Sequence, residues 1–271
     1  MRPRKLTSIA MKFLQNYFSP DDSDCESSQL ADAEIGKGVG IKVSAHQGDQ
    51  FAKKIANDFN PIHDHDSKRF CVPGDLLFAI ALSQYGICSQ MNFRFSELLK
   101  ADRVLYFPER SGDGLIEVRN RRDRVVLEVT LEGNASTSDQ SKEQLARSYV
   151  RFSGENFPQI LLPLMREHQV MFNPQRPLVI YEQMSLSFEQ TQFTDLSIEL
   201  GNTYLEVEGK RGNAWLEFNL MDQGKAIGTG RKKLVLSGLR PYDEAAMKRM
   251  CEAYEARSLN CLLYTSDAAD E

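Results

Sequence analysis

A carboxylic acid and an imidazole lie close together in residues 58–63, which contain Asp58, Asn60, Pro61 and His63. Imidazole titrates near neutral pH, and a carboxylate beside it can orient the ring and share its proton. Such a pair can take a proton from one atom of a substrate and deliver one to another. The spacing therefore predicts general acid–base chemistry.

A plainer interpretation of these residues stays open. Pro61 disfavours the α conformation at Asn60, so a preceding helix must stop by Phe59. Asp58 would then end a helix, the Asn-Pro pair would form a turn, and His63 would pack beneath it. The local residues alone favour the turn, because Asx-Pro turns are common.

Two helices are predicted on either side of this segment. Residues 49–59 form the first, with Asp49 as N-cap, because their apolar side chains recur at helical spacing. These are Phe51, Ala52, Ile55, Ala56 and Phe59. After a turn at Pro73 and Gly74, residues 76–87 are apolar nearly all round, which predicts a helix buried on several sides.

Segments with alternating apolar and polar residues predict strands in both halves of the chain. The first-half segments are 38–47, 102–107, 114–120, 124–132 and 145–152. The second half begins with a predicted helix over 156–172, in which Pro163 should cause a kink or a late start. Its strand segments are 178–189, 196–200, 203–210, 214–221 and 226–236, with hairpins predicted at 201–202, 209–213 and 222–225.

One buried helix and about five antiparallel strands, occurring twice, predict an α+β chain of two hotdog units, in which a curved sheet wraps each helix. The two sheets of this double hotdog are expected to pair edge to edge. The predicted units are 37–154, which carries the acid–imidazole pair, and 155–260, which lacks it. Residues 1–36 are predicted to form a loose segment, in which Met11 is a second candidate for the translation start. Residues 261–271 resemble a translated sequencing adapter, which would place the native C-terminus near Asn260.

Composition excludes several classes of function. A formal charge of −5 and a pI near 5.6 argue against nucleic acid as the main partner. No apolar run approaches the roughly 20 residues needed to cross a bilayer, and no signal peptide is recognisable. We therefore expect a cytoplasmic protein with no nucleic-acid or membrane partner.

Residues 51–63 resemble the motif of MaoC-like dehydratases and (R)-specific enoyl-CoA hydratases. Phe51 and Ala52 match its aromatic–Ala start, and its core is matched by Asp58, Asn60, Pro61, Ile62 and His63. In that family the Asp and the His lie at the mouth of a thioester tunnel and activate water. The resemblance implies catalytic roles for Asp58 and His63 and a substrate-binding role for Asn60.

The same resemblance extends to the start of the central helix, where the family has a backbone N–H as oxyanion donor. It assigns that role to Gly74 and places Pro73 and Asp75 at the substrate. Asn57 stands where the family has glycine, and the interval of 11 residues from His63 to Gly74 is shorter than the family's. The chain also resembles an uncharacterised group of proteobacterial proteins that share the DFNPIH and FCVPGDLLFA segments.

The implied activity is an enoyl-thioester hydratase or dehydratase, a hydro-lyase of fatty acid metabolism. Hydration needs a base for water, an acid for Cα and donors for the enolate oxygen. The substrate carries coenzyme A or phosphopantetheine, so no separate cofactor is expected. The expected partner is the substrate itself, which is either an acyl-CoA or an acyl group attached to an acyl-carrier protein. The chain is expected to be a monomer or homodimer.

Two other hypotheses stay open: a non-catalytic acyl-CoA or acyl-carrier binding protein with a decayed site, and a structural or regulatory hotdog protein. Residues 63–66 alternate two His with two Asp, but an extended segment would place the two His on one face and the two Asp on the other, and no further ligand spacing supports a metal. We therefore predict no metal site. The basic residues 231–233 are expected to be solvated on a strand, with contacts to coenzyme A phosphates as the alternative.

Overall fold

The computed structural model describes residues 11–21 and 38–267, and for 260–267 it describes the backbone alone. The α-helices are α1 (Ala45–Lys54), α2 (Gly74–Tyr85), α3 (Asp139–Gly154), α4 (Leu161–Glu167) and α5 (Glu244–Asp267). The strands are β1 (Ser19–Pro20), β2 (Val39–Lys42), β3 (Gln90–Phe95), β4 (Leu105–Phe107), β5 (Gly114–Asn120), β6 (Val125–Glu132), β7 (Val170–Met171), β8 (Val179–Phe188), β9 (Leu196–Glu208), β10 (Arg211–Asp222), β11 (Lys225–Ser237) and β12 (Arg240–Pro241). Single 3-10 turns lie at Lys12–Leu14 and Pro61–His63.

Ten strands form one continuous sheet in the order β1-β2-β4-β5-β6-β3-β8-β11-β10-β9, and every neighbouring pair is antiparallel. The two halves of the chain meet where β3 pairs with β8, with Met91 opposite Leu186 and Phe93 opposite Met184. Strands of the first half lie on one side of this pair, and strands of the second half lie on the other. The predicted edge-to-edge pairing of two sheets is confirmed.

Two helices fill the inside of the sheet. Helix α2 is buried along nearly its whole length, and Phe78 packs edge-on against Phe93 of β3 and Tyr149 of α3, with ring centroids 5.1 and 4.8 Å apart. Helix α3 packs on the second half, where Tyr149 lies 5.9 Å from Phe218 of β10. Each half of the sheet therefore wraps a central helix, and the fold is the predicted α+β double hotdog.

The prediction of a strand over residues 145–152 is wrong, because this segment lies inside α3. Its buried side chains recur at helical spacing, at Leu145, Ala146, Tyr149, Val150 and Ser153. The predicted helix over 156–172 contains α4 and β7 instead. Helix α4 begins at Leu161, so that Pro163 lies in its first turn, where a missing N–H is tolerated.

Two further differences concern the strands. The hairpin predicted at 201–202 is wrong, because β9 continues through these residues and irregular pairing opposite β10 between Leu216 and Phe218 accommodates them. Strand β3, which joins the two halves, has no counterpart among the predicted segments. The hairpins that connect β9 to β10 and β10 to β11 follow the prediction.

Part of the predicted loose segment 1–36 belongs to the core. Met11 and Leu14 have no exposed surface, and β1 pairs with β2. Residues 1–10 and 22–37 lie outside the described residues, as do 268–271 at the other end. The adapter origin of 261–271 stays a prediction, and the backbone of 261–267 continues α5. No helix among the described residues is long and apolar enough to cross a bilayer.

Helix α1 begins earlier than predicted, and Asp49 is not its N-cap. The Ser44 hydroxyl accepts a hydrogen bond from the Gln47 backbone N–H at 3.2 Å, while the Gln47 side chain accepts one from the Ser44 N–H at 3.0 Å. This capping box satisfies two N–H groups that the helix leaves unpaired. We expect Ser44→Ala to lower the free energy of unfolding in urea by about 1 kcal/mol. Ser111→Ala, an exposed loop serine, should change it by less than about 0.5 kcal/mol, and equal effects would contradict the capping role.

Candidate functional site

A cavity of about 830 Å³ opens at the N-terminus of α2, and residues from both halves of the chain line it. All six side chains or backbone positions predicted to form a site lie on its wall. They are Asp58, Asn60, His63, Pro73, Gly74 and Asp75. The cavity lies within the range of about 300–1,000 Å³ that is typical of pockets for small molecules.

Asp58 and His63 face each other on this wall, with 3.5 Å between Oδ2 of the carboxylate and Nε2 of the imidazole. The other ring nitrogen, Nδ1, lies 2.7 Å from the backbone carbonyl oxygen of Cys71. A carbonyl oxygen only accepts, so Nδ1 carries a hydrogen and donates it. In the neutral ring Nε2 is therefore the basic nitrogen, and it points toward Asp58.

The turn before the pair is formed by residues whose backbones suit it. Asn57 has φ of 54°, in the left-handed region that Gly and Asn adopt more readily than other residues. Its side chain donates to Glu155 at 2.9 Å. Asp58 Oδ1 then accepts the Asn60 N–H at 2.9 Å, which leaves Oδ2 for His63. The asparagine at this position therefore adopts a left-handed conformation that glycine also adopts readily.

The short link between His63 and Gly74 folds back on itself. Cys71 N–H donates to the carbonyl of Ile62 at 3.0 Å, and the Cys71 carbonyl accepts from His63. Next along the chain, Val72 N–H donates to Leu99 at 2.8 Å. The 11-residue interval therefore holds the imidazole and leads directly into α2.

The N-terminus of α2 forms another part of the wall. Neither the Gly74 nor the Asp75 backbone N–H donates to another described residue. Both lie in the first turn, where the helix dipole is positive. A Cβ built at Gly74 would lie 2.9 Å from Cδ1 of Tyr181, so the missing side chain makes room for the tyrosine ring.

Three buried polar side chains meet beside this helix end. The Ser153 hydroxyl on α3 donates to the two carboxylate oxygens of Asp75 at 2.6 and 2.7 Å. Lys232 Nζ on β11 donates to the same hydroxyl and, at 3.3 Å, to the Ser153 carbonyl. Exposed fractions are only 8% for Asp75, 4% for Ser153 and 2% for Lys232. The serine therefore joins a buried acid to a buried amine.

Burial governs the ionisation of this group. It raises the pKa of Asp75, against the opposing charge of Lys232 and the hydrogen bond from Ser153. Burial also lowers the pKa of Lys232, against the opposing charges of Asp75 and Asp58. Both shifts reduce the charge that the protein interior must hold.

Two tyrosines complete the polar cluster. The hydroxyl groups of Tyr149 and Tyr181 are hydrogen-bonded to each other, and Lys232 Nζ lies 4.3 Å from the centre of the Tyr181 ring. Burial raises the pKa of both hydroxyls well above the usual range for tyrosine. Both rings therefore remain neutral hydrogen-bonding groups near neutral pH.

Helix α5 closes one side of the cavity and contacts the loop that carries the acid–imidazole pair. Phe59 N–H donates to the Tyr254 hydroxyl at 3.2 Å, and Arg257 donates to Asp64 at 2.7 Å. Met250, Tyr254 and Arg257 all line the cavity. The last described helix thus holds the loop that carries the acid–imidazole pair and lines the cavity beside it.

Ser153 and Lys232 were missed in the sequence. Lys232 was expected to be solvated, and this is wrong, because it faces the core from β11. The alternation of strand β11 carried the signal: residues 232, 234 and 236 are buried, whereas 231 and 233 are partly exposed. Ser153 directly follows the segment 145–152, which was predicted to be a strand. Because the structure places both in α3, the contact of Ser153 with α2 could not be predicted from the sequence.

A second cluster of ligand-type side chains lies away from the cavity. His46, Asp49 and His65 bring one potential ligand atom each within 4.8 Å of one another. Asp49 is already paired with Lys53 and lies 2.7 Å from His65 Nδ1. The carboxylate is thereby neutralised without an ion, and we assign no metal to this cluster.

A protein-family model matches residues 35–245 and is described as "Protein of unknown function (DUF3581)". The chain belongs to this family. The part that matches DUF3581 contains Asp58, His63, Asp75, Ser153 and Lys232, so the cavity wall is largely inside it. A search of the curated proteins finds no match to this DUF3581 chain.

Several solved structures resemble the chain distantly. The tesB protein of Mycobacterium avium subsp. paratuberculosis is 9% identical with a TM-score of 0.41, over 63% of this chain and 89% of that one. An acyl-CoA thioesterase II of Mycobacterium marinum is 10% identical with a TM-score of 0.37, over 63% and 90%. The peroxisomal multifunctional enzyme type 2 of Drosophila melanogaster is 10% identical with a TM-score of 0.39, over 72% and 47%. Likeness at this level carries no conclusion about this DUF3581 chain, and its fold assignment rests on the strand order and helix packing described above.

Proposed function

We propose that the protein acts on acyl thioesters, adding water to a 2-enoyl group or removing it from a 3-hydroxyacyl group. The observation that carries this proposal is the pair of Asp58 and His63 on the wall of a cavity that also contains the N-terminus of α2. A base, a carboxylate and unused backbone donors are the groups that this reaction requires.

Water activation falls to the facing atoms of the pair. A water molecule within hydrogen-bonding reach of His63 Nε2 and Asp58 Oδ2 can donate to both of them. Its oxygen is then directed at Cβ, and Nε2 takes its proton as the C–O bond forms. Asp58 stabilises the imidazolium that results. In dehydration, the same imidazolium protonates the leaving hydroxyl group.

The N-terminus of α2 supports the charge that develops on the thioester. Attack at Cβ moves negative charge to the carbonyl oxygen, where backbone N–H groups and the positive helix end are favourable partners. The N–H groups of Gly74 and Asp75 are not used by other described residues. One such donor contributes roughly 3–4 kcal/mol of transition-state stabilisation in other oxyanion sites.

The apolar part of the cavity is suited to an acyl chain. Apolar residues of both halves line it, with Leu77, Phe95 and Leu99 from the first half and Leu161, Phe172, Leu234 and Met250 from the second. The first half also supplies the acid–imidazole pair. The second unit, which lacks the motif, therefore has a binding role in the same site.

The test is to incubate purified protein with 2-enoyl thioesters of coenzyme A and of an acyl-carrier protein over a series of chain lengths. Hydration removes the conjugated absorbance and adds one water to the product mass, without releasing thiol. No conversion of any 2-enoyl or 3-hydroxyacyl thioester would contradict the proposal. Release of free thiol from saturated acyl-CoA would assign hydrolysis instead, since the same base and helix end can direct water at the carbonyl carbon. Acyl-CoA binding by calorimetry without turnover would assign a binding protein.

A valine at residue 74 should disturb the oxyanion donor. The added side chain meets the ring of Tyr181, so either the ring or the first turn of α2 must move. Displacement of a catalytic group by about 1 Å can cost 10²-fold in rate, so we expect Gly74→Val to lower kcat/KM by about 10- to 100-fold. Ala226→Val, at an exposed position of β11, is the control and should leave kcat/KM unchanged. A fully active Gly74→Val protein would remove residue 74 from the mechanism.

A further inference from the structure

The mechanism above leaves the buried group of Asp75, Ser153 and Lys232 without a role. These side chains come from three elements that are far apart in the sequence, and hydrogen bonds join them. A buried acid and amine do not stabilise a core more than apolar residues of similar size would. Perturbed ionisable groups inside a cavity are instead typical of functional sites.

The position of Asp75 connects it to the proposed reaction. It follows Gly74 in the first turn of α2 and lines the same cavity as Asp58 and His63, and the charges of both residues act on the pKa of its carboxyl group. The two carboxyl groups have different surroundings. The Asp58 side chain is 22% exposed and lies beside an imidazole, whereas Asp75 is enclosed by the serine hydroxyl and neighbouring helices.

We propose that Asp75 is a second catalytic carboxyl group, which exchanges the proton at Cα while Asp58 and His63 exchange the proton of water. This inference rests on the function proposed above. Two carboxyl groups in contrasting environments of one site commonly divide acid and base roles in this way.

The step balances in atoms and electrons. In hydration, the water oxygen bonds to Cβ, its proton passes to His63 Nε2, and the π electrons of the double bond move to the thioester oxygen. The enolate then collapses, and Cα bonds to the proton of the Asp75 carboxyl group, which becomes a carboxylate. After the product leaves, His63 releases its proton to solvent and Asp75 takes one, so that one water has been added.

Ser153 and Lys232 are positioning residues in this scheme. A hydroxyl group can donate to an ionised carboxylate and accept from a protonated one, so Ser153 fits both states of Asp75. Lys232 donates to the serine oxygen and supplies a positive charge that favours the ionised state. The enclosed carboxyl group, whose pKa burial raises, is thereby kept able to change state.

Asp75→Asn in the otherwise intact chain is the first test, with hydration of an enoyl-CoA carried out in deuterated water. We expect kcat to fall by about 10²-fold or more. The wild-type product should carry deuterium at Cα in one stereochemical position, and residual product of the variant should carry it in both. A merely structural residue would lower the rate but preserve the stereochemistry. Asp195→Asn, at an exposed carboxyl group, is the control.

Lys232→Met tests the positioning role of Lys232 through the pH dependence of the hydration rate. The titratable groups that face Asp75 are Lys232, Asp58, His63, Tyr149 and Tyr181, and the variant removes only the first. Lys232 lowers the pKa of Asp75, so its loss raises that pKa further. Hydration needs protonated Asp75, and its rate falls as pH rises through the pKa. We therefore expect this fall to move to higher pH in the variant.

The double variant Asp75→Asn/Lys232→Met removes both buried ionisable groups. It keeps the test possible if one of the single variants does not fold. We expect it to fold and to remain as slow as Asp75→Asn, with mixed stereochemistry. Wild-type rates and stereochemistry in either protein that carries Asp75→Asn would overturn this inference and leave the proposed function standing. A wild-type protein that converts no enoyl thioester would overturn both.

Discussion

His63→Asn should lower kcat/KM for an enoyl thioester by about 10²–10⁴-fold, because the variant loses the group that takes the proton from water. The asparagine amide can still donate to the Cys71 carbonyl, which now accepts from Nδ1. The loop should therefore keep its conformation, and the far-UV spectrum and unfolding midpoint should stay close to those of the wild type. Steady-state hydration kinetics, normalised to folded protein, measure the effect.

The matched control is His65→Asn, in the same loop. Its imidazole is exposed and bonds to Asp49, away from the cavity. We expect kcat/KM within about 3-fold of the wild type, which corresponds to less than about 1 kcal/mol. Equal losses in the two variants would mean that the loop conformation matters and the His63 imidazole does not, and the role of His63 would be rejected.

Lys232→Met should lower the free energy of unfolding by about 1–3 kcal/mol, since it leaves the buried Ser153 hydroxyl and carbonyl without the amine that donates to them. Asp75→Asn should have a cost of similar size, because it removes the carboxyl group that accepts the hydrogen bond of Ser153 and opposes the charge of Lys232. In the double variant both charges are absent, and we expect its loss to be smaller than the sum of the single losses. Urea unfolding of the four proteins gives the coupling free energy.

Lys233→Met controls for the loss of a lysine on the same strand. Lys233 faces the opposite side of the sheet, where it pairs with Glu182. Partly exposed ion pairs contribute about 0–1 kcal/mol, so its replacement should have a small effect. Strictly additive losses in Lys232→Met and Asp75→Asn would show that the two groups do not interact, contrary to the bridge through Ser153.

Much of the sheet could be predicted from the sequence, since alternation over β5, β6, β8, β10 and β11 is regular. Helix α2 was recognisable from its unbroken apolar run. Helix α3 was not, because Tyr149, Val150 and Phe152 are residues typical of strands. Packing against α2 and β10 overrides this preference. The Ser138 side chain, which accepts the Ser141 N–H, is the local signal that would have marked the start of the helix.

The site could be predicted only where it is local in sequence. Asp58 and His63 belong to one turn, and their spacing was sufficient to bring them together. The partners of Asp75 come from positions 78 residues or more away, so their contact depends on the packing of α2, α3 and β11. A lysine is also rarely buried, and residue type therefore favoured solvent for Lys232 even though its position in β11 favoured the core.

The contact between α5 and the turn after α1 has a consequence for how the protein is made. Phe59 and Tyr254 are 195 residues apart, and a ribosome that adds about 5–20 residues per second takes about 10–40 s to cover that distance. Throughout this interval the nascent chain carries Asp58 and His63 without the helix that closes the cavity beside them. We therefore expect the emerging N-terminal half to be inactive on its own.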